Sequence, residues 1–143
     1  MTRDDTSRWE IYSLLVDYAD ALDKRQLDRV GDCFATDASA RYSGTDVGPG
    51  RDAIVAFLHE HLTSLASTHF VGNVQIDLKS DSEARTDTFV LATHVVEDGG
   101  ETVLQQRGLR YLDEIVRGDD GRWRISRREH LPVWAGRVVG GLL

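Results

Sequence analysis

The chain has 143 residues, 41% of them hydrophobic and 29% charged, which fits one globular domain spanning 1–143 with a core of its own. With 24 acids against 17 lysines and arginines the formal charge is −7, which argues against nucleic acid or an anionic membrane surface as partner. One cysteine, Cys33, can form no intrachain disulfide, and "MTRDDTSRWE" has no apolar leader, so the expected location is cytoplasmic.

The first element is a helix. In "TSRWEIYSLLVDYADALDK" the apolar residues Ile11, Leu14, Leu15, Tyr18 and Leu22 recur at three- and four-residue steps, and Ser7 with Glu10 fits a capping box. "QLDRVGDCFA" predicts a second, short helix on Leu27, Val30 and Phe34, weakened by Gly31. "DASARYSG" predicts a short strand and "TDVGPGRD" a loop. "RDAIVAFLHEHLTSLA" predicts a third helix with Ile54, Phe57, Leu58, Leu62 and Leu65 as its stripe.

After Ala66 the period changes to two. "THFVGNVQIDLKS", "EARTDTFVLATHVVED", "ETVLQQRGLRYLDEIVRG" and "GRWRISRREHLPVW" predict long strands, separated by "SDS", "DGG" and "GDDG". Helices first and a meander after them predict an α+β fold, with three N-terminal helices on one face of a curved antiparallel sheet. A bent sheet closed by a long helix encloses a cone that suits a small molecule. The weak alternation in "FVLATHVV" predicts that the other face is covered too, by a homodimer or higher homo-oligomer.

Five histidines are present, and two of them, His69 and His94, raise chemistry. His69 opens a strand and His94 interrupts the most apolar one; each is either a hydrogen-bonded core residue or a pocket residue. His59 and His61 are two apart on a helix and point to different faces, without the i, i+4 spacing of a zinc motif, so no metal site is expected. No phosphate-binding glycine loop and no G-x-S-x-G elbow occurs. Asp23 ends the first helix, where the dipole disfavours an acid by roughly 0.3–1 kcal/mol, which hints at a partner.

Taken in order, "YADALDKRQLDRVGDCFATDA", "GRDAIVAFL", "STHFVGN" and "DGRWRISRRE" resemble the SnoaL-like branch of the NTF2-like superfamily over nearly the whole chain. The resemblance implies a cone-shaped α+β fold and an Asp–His dyad, here Asp23 and His69. It is similar to scytalone dehydratase in a second histidine 25 residues on, His94, and in a strand tyrosine, Tyr42. It is similar to the bile-acid 7α-dehydratases in a tyrosine five residues before the aspartate, Tyr18. It is similar to hexachlorocyclohexane dehydrochlorinase in an arginine five residues after Trp123, which is Arg128. Strand parity instead puts Arg127 on the face of Trp123 and Ile125 unless a bulge intervenes, so both arginines stay open.

The resemblance implies a cofactor-independent lyase, dehydratase, isomerase or cyclase acting on a small hydrophobic or cyclic molecule, as in polyketide and other secondary metabolism. Asp23, His69, Tyr18, Tyr42 and His94 are its expected catalytic residues. Arg128, Asn73 and Trp123 are its expected substrate contacts. The competing expectation is a ligand-binding or association module on the same fold, in which His69 and Asp23 only satisfy each other.

Overall fold

The computed structural model describes residues 1–143. Helix α1, Arg3–Asp23, is followed by α2, Leu27–Asp32, and by strands β1, Phe34–Tyr42, and β2, Thr45–Val47. Helix α3, Arg51–His61, then leads into four long strands: β3 Ala66–Leu78, β4 Glu83–Asp98, β5 Glu101–Arg117 and β6 Trp123–Val139. The six strands form one curved, unclosed sheet in the order β2-β1-β6-β5-β4-β3.

The apolar stripe expected of α1 is its buried face: Ile11, Leu14, Leu15, Tyr18 and Leu22 are all buried. The helix starts earlier than expected. Thr2 is its N-cap and forms a reciprocal capping box with Asp5, which leaves Ser7 one turn inside and buried. The segment expected to be a loop contains the short strand β2, which pairs antiparallel with the end of β1. Helix α3 stops at His61, and β6 continues past Trp134 to Val139.

The sheet is not wholly antiparallel. β1 runs parallel to β6, with Ala40 opposite Arg128 and Tyr42 opposite His130. Alternation reports which face a residue takes and is silent on the direction of its neighbour, so this pairing was beyond the period-two pattern. β5 in turn sets Asp113 opposite Arg128 and Tyr111 opposite His130. Two rows therefore cross the inner face: Tyr42, His130, Tyr111 and Thr88 in one, Ala40, Arg128, Asp113 and Thr86 in the other.

Two bulges decide which residues face inward. Between Val71 and Val74 the register of β3 against β4 slips by one, so Val74 and Ile76 take the inner face and Asn73 turns outward, exposed. Between Trp123 and Arg128 the register of β6 against β5 slips at Ser126, whose hydroxyl bonds the Glu114 carbonyl. Arg128 is thereby buried and Arg127 exposed. The core lies between the inner face and the helices, with Phe34, Ile54, Val90, Ile115 and Ile125 fully enclosed. No helix is long and apolar enough to cross a membrane.

Candidate active site

A cavity of about 280 Å³ opens between the inner face of the sheet, the end of α1 and α3. Tyr18, Tyr42, His69 and His94 line it, together with Phe57, His61, Arg107, Tyr111 and His130. No carboxylate belongs to the lining, and Arg107 is its one arginine. No group of three or more His, Cys, Asp or Glu side chains is arranged to hold a metal ion.

Asp23 is the last residue of α1, so its carboxylate meets the unfavourable end of the helix dipole. Three hydrogen bonds offset that. The His69 ring meets Oδ1 through Nδ1 at 2.7 Å, the His69 backbone N–H donates to Oδ2 at 2.8 Å, and the Ser67 hydroxyl donates to Oδ1 at 2.9 Å. The backbone bond exists because β3 is an edge strand, paired on one side with β4 only. Its outward N–H groups are free, and the end of α1 covers that edge. Burial pushes the Asp23 carboxyl up, but these bonds outweigh it and hold the group below its usual range.

His94 stands opposite Ser67 in the β3–β4 ladder and so shares the face of His69. The two rings are 5.3 Å apart and nearly perpendicular, and the Ser64 hydroxyl meets His94 Nδ1 at 3.1 Å. Burial, then the neighbouring His69 and the arginines Arg107 and Arg25, lower the His94 pKa to about 4.

The tyrosines form the other wall. Tyr18 and Tyr42 are buried and their hydroxyls meet at 2.9 Å. Burial raises the pKa of both, so each remains a hydrogen-bond donor across the neutral range. Tyr42 also faces Phe57 at 5.4 Å and His130 at 5.4 Å.

Beneath them lies a buried ion pair. Arg128 donates to Asp113 through Nε at 2.8 Å and Nη2 at 2.7 Å, with both side chains fully enclosed. Its guanidinium lies 4.2 Å from the Tyr18 ring and 4.1 Å from the Tyr111 ring, which stand perpendicular to each other. Its Nη1 has no hydrogen-bond partner. The bulge at Ser126 thus decides between Arg127 and Arg128, but the inward arginine backs the tyrosines and does not line the cavity.

Of the residues singled out in the sequence, Tyr18, Tyr42, His69 and His94 meet at one cavity, with Asp23 behind His69. Arg128, Asn73 and Trp123 do not line it. Asn73 is turned outward by its bulge, and Trp123 is buried at the start of β6, opposite Arg117 in the ladder. His130 was missed, although it lies two residues after Arg128 and so takes the same inner face. Burial first, then Arg128, Arg107 and His69, lower its pKa to about 4, and its Nδ1 meets the Ser43 hydroxyl at 3.3 Å. Tyr111 and Asp113 were also missed, although the alternation through Leu109, Tyr111, Asp113 and Ile115 places them inward.

A curved, open sheet with helices across its concave face and polar side chains inside the cone defines an NTF2-like protein. Residues 4–129 match the SnoaL-like domain, and the chain belongs to that family. An uncharacterized protein of Mycobacterium tuberculosis, Rv2910c, is 32% identical over 125 residues, which is 86% of this chain and 83% of that protein. Among solved structures, a candidate scytalone dehydratase from Novosphingobium aromaticivorans superposes with a TM-score of 0.82 at 24% identity, covering 99% of this chain and 92% of the other. The hexachlorocyclohexane dehydrochlorinase LinA-type3 from Novosphingobium barchaimii superposes at 0.86 with 20% identity, covering 99% and 97%. At these identities the likeness is one of fold.

Proposed function

We propose that the cavity is the active site of a cofactor-independent lyase of the dehydratase type, or a related isomerase or cyclase, with His69 as general base. The observation that carries this is the bond of 2.7 Å between His69 Nδ1 and Asp23, on a histidine that lines an open cavity. A carboxylate there fixes the ring proton on Nδ1, leaves Nε2 free to take a proton, and stabilises the imidazolium that results. The Tyr18 and Tyr42 hydroxyls and the His94 ring are the donors for an oxygen that gains charge.

For a small cyclic β-hydroxy ketone the steps balance as follows. His69 Nε2 takes the proton next to the carbonyl, and the C–H electron pair forms the enolate. The enolate collapses to a conjugated ketone as the C–O bond breaks, and the hydroxyl leaves as water with the proton returned from His69. An isomerase would return that proton to carbon instead. A cavity of about 280 Å³ stands at the small end of ligand pockets, which run from about 300 to 1,000 Å³, and suits one or two fused rings.

The competing reading is a binding module in which the dyad only satisfies itself. An open cavity bordered by His69 supports catalysis, since self-satisfaction requires no opening. A panel of cyclic ketones and hydroxy-ketones, followed by loss of water or exchange of the α-proton in D₂O, tests the proposal. Exchange abolished by His69→Ala supports it; binding without exchange or turnover in the parent moves the protein to the binding reading.

Self-association belongs to the same proposal. Phe70, Leu91, Gly108 and Trp134 form a row across the outer face of β3, β4, β5 and β6. Trp134 lies flat over Gly108, where a Cβ would come within 2.2 Å of the indole nitrogen, and both Phe70 and Trp134 are exposed. An apolar row of this kind supports a homodimer or higher homo-oligomer built on the outer face.

A further inference from the structure

Arg25 follows the end of α1 with a left-handed backbone, φ 56°. Its guanidinium turns back toward the start of β3. Nη1 donates to the Leu22 carbonyl at 2.8 Å and to the Ser67 hydroxyl at 2.7 Å. Nη2 donates to the Ser64 hydroxyl at 2.9 Å and to the Ser64 carbonyl at 3.3 Å. Ser67 goes on to Asp23 and thence His69, and Ser64 goes on to His94. One cation therefore connects both cavity histidines, each through a serine.

The proton count along this chain favours one assignment. A guanidinium offers only donors, so both serine oxygens accept from Arg25. The Ser67 proton goes to the Asp23 carboxylate, which is an acceptor only. The Ser64 hydroxyl has two side-chain partners, Arg25 and His94. Its proton has one acceptor among them, His94 Nδ1. With a proton on that nitrogen the Ser64 oxygen would accept twice and its own hydrogen would find no acceptor between these two partners. At the other end His69 Nδ1 faces a carboxylate and carries the ring proton itself.

We propose that Arg25 is a positioning residue that, through Ser64, fixes on His94 the tautomer opposite to the one that Asp23 fixes on His69: His69 with a bare Nε2, His94 with a protonated Nε2. The cavity then meets its ligand with an acceptor and a donor whose rings lie 5.3 Å apart. Neither Nε2 has a partner within the protein. The low pKa of His94 agrees, because a neutral ring must choose one nitrogen for its proton. Its role toward substrate, as donor to a carbonyl or departing oxygen, rests on the function proposed above; the tautomers do not.

The test is a long-range ¹H–¹⁵N correlation spectrum of histidine-labelled protein near pH 7.5 without ligand, assigned with His69→Gln and His94→Gln. The expected result is an Nδ1–H ring for His69 and an Nε2–H ring for His94. In Ser64→Ala, which removes one hydroxyl from a half-buried loop, His94 should average between tautomers while His69 stays fixed. Arg25→Gln should loosen His94 in the same way, and Arg25→Lys should restore part of the preference. An Nδ1–H ring for His94 in the parent overturns the proposal, as does an unchanged His94 in both a folded Ser64→Ala and a folded Arg25→Gln. Where a substrate is turned over, Arg25→Gln should lower kcat about tenfold with KM held. The expected tautomers without any turnover sink the lyase reading alone; turnover with the wrong tautomers sinks this proposal alone.

Discussion

Arg128 and Asp113 face each other across β6 and β5 as a bidentate ion pair from which water is wholly excluded. Burial penalises the charge on Arg128, and Asp113 more than restores it, so the guanidinium is charged at any working pH. Loss of one partner leaves an uncompensated charge in the core, which typically costs about 3–5 kcal/mol, whereas loss of both is often nearly neutral. Asp113→Ala and Arg128→Met should each lower stability by about that amount, and the double replacement by much less than the sum. Urea melts of the four proteins measure this. Additive losses would show that the pair is not coupled.

The dyad separates chemistry from fold. His69→Ala should reduce turnover by about 10²–10⁴-fold, the usual worth of a positioned base, with little change in melting temperature. Asp23→Asn should be as severe, because an amide can hold the wrong tautomer. If His69→Ala melts like the parent and keeps its kcat, the histidine is structural.

Tyr18→Phe and Tyr42→Phe should be milder. Each removes one hydroxyl of a pair that meets at 2.9 Å, and the survivor can still reach the cavity. About a tenfold loss of kcat is expected for each, with the double variant no more than additive if both serve the same oxygen. Steady-state kinetics of the three proteins decide it, and parental kcat in both single variants would remove the tyrosines from the mechanism.

How far these residues were legible depends on distance along the chain. The α1 stripe and the four long strands follow from local periods, and the paired positions of Asp23, His69 and His94 from a resemblance of spacing. Asn73 faces outward because a bulge of one residue reverses every side chain after it, and nothing in "VGNV" announces where the extra residue sits. The bulge in "ISRR" turns Arg128 inward, but behind Tyr18 and Tyr111 and not into the cavity, which spacing along one strand does not report. Arg25 and Ser64 were passed over because they look like surface residues of a turn. Their part in the site arises only when the end of α1 meets the edge of β3, residues about 40 apart. Tyr111, Asp113 and His130 were within reach of plain alternation and were obscured by the strong polarity of their strands.

The outer apolar row predicts association in solution. Sedimentation at micromolar concentration should give a species of at least twice 16.0 kDa. Phe70→Glu with Trp134→Glu should shift it toward the monomer, since like charges placed on a shared apolar face oppose its burial. A parent that sediments as a monomer would remove the homo-oligomer.

Acid should weaken the fold before the Asp23 carboxyl titrates. His94 and His130 have pKa values near 4 in the folded state against 6.5 for a free imidazole, because burial opposes their charge and Arg107 stands near both. Below about pH 6.5 the unfolded chain binds these protons and the folded chain does not, so the stability contributed by the neutral rings is complete above 6.5 and is lost as pH falls to about 4. Asp23 acts lower. Its carboxyl is held below 3.8, so its contribution persists through that window and is lost only beneath it. The melting temperature should therefore fall steadily from pH 7 to pH 4.5, and His94→Gln with His130→Gln should flatten the slope whatever their starting value at pH 7. Thermal melts across that range check it: a flat parental profile, or a slope that survives both replacements, would place the two rings in solvent-like surroundings and end the account of the cavity as a site that keeps its histidines neutral.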